Sequence, residues 1–237
     1  MANTSLPDQP RQRLEQVQHR LRNALAEAGR RPDSAQLLAV SKMQPGSAVR
    51  ALYELGQRAF GENYLQQALE KQRELTDLAI SWHFIGPIQS NKTREIAAHF
   101  DWVHSLDREK IARRLSEQRP TEMGPLKVCI QVNVSNEESK SGVAVADVVP
   151  LANAIATLPG LELRGLMAIP SQQDDPAAQR EPFARLRQLL ATLQSQLPEL
   201  PLDTLSMGMS GDLEAAIAEG ATMVRIGTAL FGPRPYP

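Results

Sequence analysis

A single cysteine in 237 residues removes two kinds of architecture at once. Cys129 alone can close no intramolecular disulfide and can anchor no cysteine-rich zinc cluster; within Lys127-Val128-Cys129-Ile130 it reads as a small buried hydrophobe. The histidines and carboxylates show no metal-ligand spacing. A dominant charge is missing too. Lys+Arg 26 stand against Asp+Glu 27, a formal net charge of -1 with no acidic or basic tail, which argues against nucleic acid or a membrane surface as a partner. No apolar run approaches a membrane span, and the start MANTSLPDQPRQRLEQ lacks the apolar core of a signal peptide. These absences set the expectation of a cytoplasmic protein.

What is present alternates. Leu14, Val17, Leu21 and Leu25 recur at helical spacing and predict an amphipathic helix ending near Gly29 and Pro32. From there short runs rich in branched residues read as strands: 37–41, 58–61, 82–85, 102–104, 126–134, 161–167, 204–207 and 223–226. Helical patterns fall between and after them over 47–55, 64–78, 91–99, 107–117 with Asp107 as N-cap, 145–158, 182–197 and 212–219. Parallel strands joined by right-handed crossovers follow from that alternation, and eight is the number that closes a barrel. The expected fold is α/β: a single (β/α)8 TIM-type barrel over residues 33–237, with residues 1–32 forming a flexible start and an extra N-terminal helix packed on it. No linker, low-complexity segment or internal repeat interrupts the chain after Pro32.

In such barrels chemistry collects where strands end. The first strand, Leu37-Leu38-Ala39-Val40, delivers Ser41-Lys42 before Pro45. Most lysines here, Lys71 and Lys110 among them, read as solvated surface charges. An ammonium on the inner end of a buried strand is different: desolvation pulls its pKa down from ~10.4 and makes a nucleophilic amine that can capture aldehydes. The last two strands lead into small-residue loops, with Ser206, Gly208 and Ser210 before a helix starting near Asp212, and Gly227-Thr228 on the neighbouring strand. Loops after strands seven and eight form the recurrent phosphate site of this fold. An amine facing a phosphate cradle suits a phosphorylated aldehyde, either a sugar phosphate or pyridoxal 5′-phosphate (PLP). Arg225 lies on the same strand face as Gly227, where a guanidinium either hydrogen-bonds a ring nitrogen or pairs with a buried carboxylate. A sugar-phosphate aldolase needs a further acid or base, for which Glu62 and His83 are candidates.

The motifs AVSKMQP, FGENYLQQ, WHFIGPIQSNK, SKSG, RGLMAIP, LSMGMSGDLEAAI and VRIGTALFG occur in that order. Together they resemble the pyridoxal phosphate homeostasis protein family, also called YggS/PROSC, from about Leu37 to Gly232. That family is similar to the barrel domain of alanine racemase and other fold-type III PLP proteins. The resemblance implies that Lys42 carries PLP as a Schiff base and that Ser206, Ser210, Gly227 and Thr228 surround its phosphate. It places Arg225 near the pyridine nitrogen, Asn63 against the ring and Met167 in the pocket wall. It further implies a PLP-binding regulator that stores or delivers the cofactor, with effects on amino-acid and keto-acid balance, rather than an enzyme. The racemases' second domain, which supplies a tyrosine base, is missing, so a monomer is expected. PLP-requiring apoenzymes are the expected protein partners, and Lys92 or Lys140 could accept PLP transiently during release. The competing reading is a racemase or decarboxylase of low activity that uses His83, His104 or Tyr64 as its second proton relay.

Overall fold

A computed structural model of the chain describes residues 8–135, 141–171, 173 and 175–232; Ser139 and Lys140 of the SKSG motif lie outside them. Eight parallel strands close on themselves in sequence order: β1 (Gln36–Val40), β2 (Ala59–Glu62), β3 (Ser81–Phe84), β4 (Trp102–Leu106), β5 (Leu126–Gln131), β6 (Leu161–Met167), β7 (Thr204–Ser206) and β8 (Met223–Ile226). Closure runs through β1 and β8, with Leu38 opposite Arg225 and Ala39 opposite Ile226. Because β1 is covered on both faces, Leu37 to Val40 is an unbroken apolar run, as parallel strands require.

The connections are α2 (Gly46–Glu54), α3 (Leu65–Glu74), α4 (Thr93–His99), α5 (Glu109–Gln118), α6 (Val148–Ala156), α7 (Pro176–Gln196) and α8 (Leu213–Ala218), with a short α9 (Thr228–Phe231) after the last strand. Their apolar faces and the outer faces of the strands build one large core. Leu38, Ala59 and Met223 form a small separate cluster with Ile85 against it; these residues sit on the inward-pointing alternation of β1, β2 and β8. α1 (Asp8–Glu27) lies outside the barrel and buries Leu14, Val17, Leu21 and Leu25, each burial being worth about 1.5–3 kcal/mol relative to exposure. It is also pinned by polar contacts. Arg13 Nη1 donates to the Phe231 carbonyl at 2.9 Å and Arg20 Nη1 to the Ser210 carbonyl at 2.7 Å.

Three local expectations are corrected. α7 starts at Pro176 instead of Pro182, because Asp175 caps it by accepting from the Ala178 N–H at 2.8 Å, and Pro182 is carried inside the helix. Asp107 does not cap α5; Arg108 occupies that position and no side chain caps the helix. The fifth strand ends at Gln131, beyond which Val132 makes a single bridge to Val143.

Candidate functional site

The residue before Lys42 is held at every polar atom. Ser41 N–H donates to the Gly61 carbonyl at 3.0 Å, and the Ser41 carbonyl accepts from Gln44 N–H at 3.0 Å and from Lys71 Nζ at 2.7 Å. The Ser41 hydroxyl donates to Glu62 Oε1 at 2.6 Å, an oxygen that also accepts from Lys71 Nζ at 2.6 Å. Glu62 is fully buried and Lys71 nearly so, so the surface reading of Lys71 is wrong. Burial pushes the Glu62 carboxyl above its usual range, while the Lys71 ammonium and the Ser41 hydroxyl pull it back. This anchorage drives a tight turn. Met43 takes φ 62, the one left-handed conformation at a non-glycine residue among those described, a geometry that costs about 1–2 kcal/mol and persists only when its surroundings impose it.

Lys42, half-buried, thereby lines a cavity of about 630 Å3 at the C-terminal mouth of the barrel. Asn63, Ser210, Arg225, Gly227 and Thr228 line the same cavity. Asn63 follows β2 directly, and its Oδ1 is buried with no hydrogen-bond partner among the described residues, leaving an acceptor for a ligand to satisfy. At the opposite wall the Ser210, Gly211, Gly227 and Thr228 backbone N–H groups donate to no acceptor among the described residues. Gly208 supports that wall at φ 94, and a Cβ there would press to 2.5 Å from the Ala216 Cβ. Asp212 closes the loop by accepting from Met209 N–H at 2.5 Å; burial raises its carboxyl above the usual range.

Arg225 is buried and pairs with no carboxylate among the described residues. Its Nη1 donates to the Ser206 carbonyl at 2.5 Å and to Ser206 Oγ at 2.9 Å, and its Nη2 donates to the Ala168 carbonyl at 2.8 Å. Burial lowers its pKa to about 10, so the guanidinium stays charged at neutral pH. The Nε N–H and one Nη2 N–H are the donors not used by these contacts.

Two expected site residues stand apart from the cavity. Ser206 and Met167 are fully buried and do not line it. The Ser206 hydroxyl is engaged by Arg225 and His104, so its position suits holding the arginine rather than a phosphate. His83 and His104 are buried in the barrel interior, Tyr64 is exposed, and none of the three lines the cavity. Lys92 is half-buried in a 3-10 turn beyond β3 and also stays off the lining. Among the residues the sequence does not point to are Gln173, Gln179 and Phe183, which line the cavity from the β6–α7 loop and α7. The late start assigned to α7 hid Gln179.

Among the described residues no cluster of His, Cys, Asp or Glu could hold a metal ion, and no helix is long and apolar enough to cross a membrane.

The closed parallel barrel with Lys42 and Arg225 at one mouth belongs to a chain whose residues 12–235 match the family of the alanine racemase N-terminal domain. The pyridoxal phosphate homeostasis protein of Pseudomonas aeruginosa is 63% identical over 94% of this chain and 95% of its own, and that of Escherichia coli K12 is 50% identical over 94% and 96%. The chain belongs to the pyridoxal phosphate homeostasis protein family. PipY of Synechococcus elongatus, solved without PLP, is 43% identical with a TM-score of 0.81, covering 90% of this chain and 100% of its own. A PLP-bound structure of PipY is 42% identical with a TM-score of 0.79, over the same shares of both chains. Alanine racemase from Corynebacterium glutamicum, at 20% identity and a TM-score of 0.69 over 93% of this chain and 62% of its own, shares the fold.

Proposed function

We propose that this chain binds pyridoxal 5′-phosphate in the barrel-mouth cavity, covalently through Lys42, and acts in the cytoplasm as a monomeric store and donor of the cofactor. One observation carries the reading: a lysine, a charged arginine and two loops with open N–H groups converge on a single cavity. The residues fit the group. Ser210, Gly211, Gly227 and Thr228 offer donors for a phosphate, an N–H of Arg225 left unused by Ser206 and Ala168 offers one for a ring nitrogen, and the unpartnered Asn63 Oδ1 suits a ring substituent that can donate. Bound PLP supplies an aldehyde whose carbon joins a lysine amine with loss of one water, a bond that water can reverse. Reversibility suits storage and delivery.

The chain's own residues speak for holding over turnover. Lys42, Asp212 and Arg225 are the titratable side chains that line the cavity among the described residues. Racemisation needs proton donors and acceptors on both faces of a substrate carbon; Lys42 serves one face, and the Asp212 carboxylate is committed to the Met209 N–H in the anion loop. Arg225 adds a positive charge where a ring nitrogen would have to gain a proton, which weakens the ring as an electron sink. Regulation of amino-acid and keto-acid balance follows from controlling the supply of free PLP. Hand-over to PLP-requiring apoenzymes belongs to the same reading, and it requires transfer faster than release into solution allows.

Purified protein incubated with PLP is expected to turn yellow and to stay colourless in Lys42→Ala, with no amino-acid turnover in either. A wild type that remains colourless in excess PLP sinks the proposal, as does turnover that depends on Lys42. A milder effect is expected of Arg20→Ala. Arg20 holds Glu214 through Nε and Nη2 and the Ser210 carbonyl through Nη1. Its half-exposed ion pair adds little to stability, but loss of the Ser210 contact loosens the anion loop. PLP dissociation measured by absorbance should rise about threefold, and an unchanged constant would detach α1 from the site.

A further inference from the structure

Two buried histidines that do not line the barrel-mouth cavity are joined to Arg225. His83 Nδ1 lies 2.9 Å from His104 Nε2, His104 Nδ1 lies 2.7 Å from Ser206 Oγ, and Ser206 Oγ accepts from Arg225 Nη1 at 2.9 Å. At the other end His83 Nε2 lies 3.1 Å from Ser81 Oγ, where β3 begins. His83 also stacks on Trp102, with ring centroids 5.5 Å apart and planes 5° from parallel.

The direction of each bond follows from donor counting. A guanidinium only donates, so Ser206 Oγ must accept from Arg225 and has one proton of its own to place. Ser206 is fully buried, and the remaining polar neighbour recorded for its hydroxyl is His104 Nδ1. If that nitrogen accepts, neutral His104 carries its proton on Nε2 and donates it to His83 Nδ1. Neutral His83 then carries its proton on Nε2 and donates to Ser81. Every fully buried donor in the chain has an acceptor in this direction, and the one hydroxyl proton left over falls on Ser81 at the half-buried end. In the reverse direction the Ser206 proton is buried with no acceptor, a cost proteins avoid. Both rings are neutral near physiological pH, because burial lowers His83 to about 3 and His104 far below its ordinary value.

We propose that Ser81, His83, His104 and Ser206 form a one-directional hydrogen-bond chain that fixes the Arg225 guanidinium, with His104 Nδ1 as the acceptor that turns the Ser206 hydroxyl toward it. His104 is then a positioning residue. It leaves the Ser206 lone pair open to Arg225 Nη1, and the arginine lines the cavity with no ion-pair carboxylate among the described residues. The link to the cofactor rests on the PLP reading above; the direction of the chain does not.

Two measurements test it. Long-range proton–nitrogen NMR of the ligand-free protein is expected to show His104 and His83 both as the neutral Nε2–H tautomer. A proton on His104 Nδ1 overturns the proposal whether or not PLP binds. PLP affinity is then compared in His104→Asn and His104→Gln. The Asn carbonyl can stand where Nδ1 accepts from Ser206, whereas Gln reaches the His83 side. His104→Asn should keep the dissociation constant within about threefold of wild type, and His104→Gln should weaken it about tenfold. A role in filling space alone predicts the opposite order, since Gln is nearer to His in volume, and equal loss in both also overturns the proposal. Wild type without PLP affinity removes the functional reading and leaves the NMR result to decide the chain.

Discussion

Lys71→Met is expected to lower the free energy of unfolding by about 3–5 kcal/mol, the range for leaving one member of a buried ion pair without its partner. Glu62 is fully buried and Lys71 Nζ is its charged partner, at 2.6 Å. The carboxylate is already short of partners, because Oε2 has none among the described residues. Without the ammonium, the Ser41 hydroxyl is its remaining recorded contact, and the carboxyl must either stay charged in an apolar setting or take up a proton. The double variant Glu62→Gln/Lys71→Met should recover most of the loss, since it removes the charge together with its partner. Urea denaturation of the two single variants and the double variant measures this directly. A loss under about 1 kcal/mol in Lys71→Met would show that the pair does not support the turn. The functional consequence is local: the Ser41 carbonyl loses one of its two donors beside Met43, and Lys42 is less well aimed.

Acid should destabilise the protein steeply well before its carboxylates titrate. His83 and His104 fold neutral, with folded pKa values below the ordinary 6.5, while in the unfolded chain they take up protons as pH falls through 6.5. The unfolded state therefore binds more protons between pH 6.5 and the folded value of about 3 for His83, and stability falls as pH drops across that window. Each histidine approaches about 1.4 kcal/mol per pH unit once its unfolded form is fully protonated, so the pair removes about 3 kcal/mol between pH 6.5 and 5. Glu62 and Asp212, whose carboxyls are raised by burial, act in the opposite direction as they protonate in the fold. Asp203 and Glu214, held low by Arg164 and Arg20, reinforce the loss nearer pH 4. Denaturation series from pH 7 to 5 should show the slope, and His104→Asn should reduce it by about one proton's worth. An unchanged slope in that variant would mean that His104 is not kept neutral by the fold.

The barrel was legible in the sequence because its strands are buried on both faces. Leu37 to Val40 and Met223 to Ile226 are apolar enough to stand out, and their observed limits fall within a residue of those expected. Lys42, Ser210, Arg225, Gly227 and Thr228 were legible as a set because strand ends in a closed barrel must converge. What pairs with what inside was harder. Lys71 falls on the apolar stripe marked by Ala68 on α3 and by Leu75 at its C-cap, a signal visible at helical spacing but overruled by the usual exposure of lysine. Ser206 reads as a phosphate ligand from its place beside Gly208. Its burial beneath the cavity depends on the register of β7 against β6 and β8, which sequence alone does not give. The histidine chain has the same origin: period-two alternation turns His83, His104 and Arg225 inward, but their contacts arise from the stagger of strands far apart in sequence.

Borohydride reduction of the protein after incubation with PLP, followed by peptide mass mapping, tests the central claim most directly. The account predicts one reduced PLP adduct, on Lys42, in wild type and none at that site in Lys42→Arg. An adduct found mainly on another lysine, such as Lys92 or Lys140, or no adduct at saturating PLP, would contradict it.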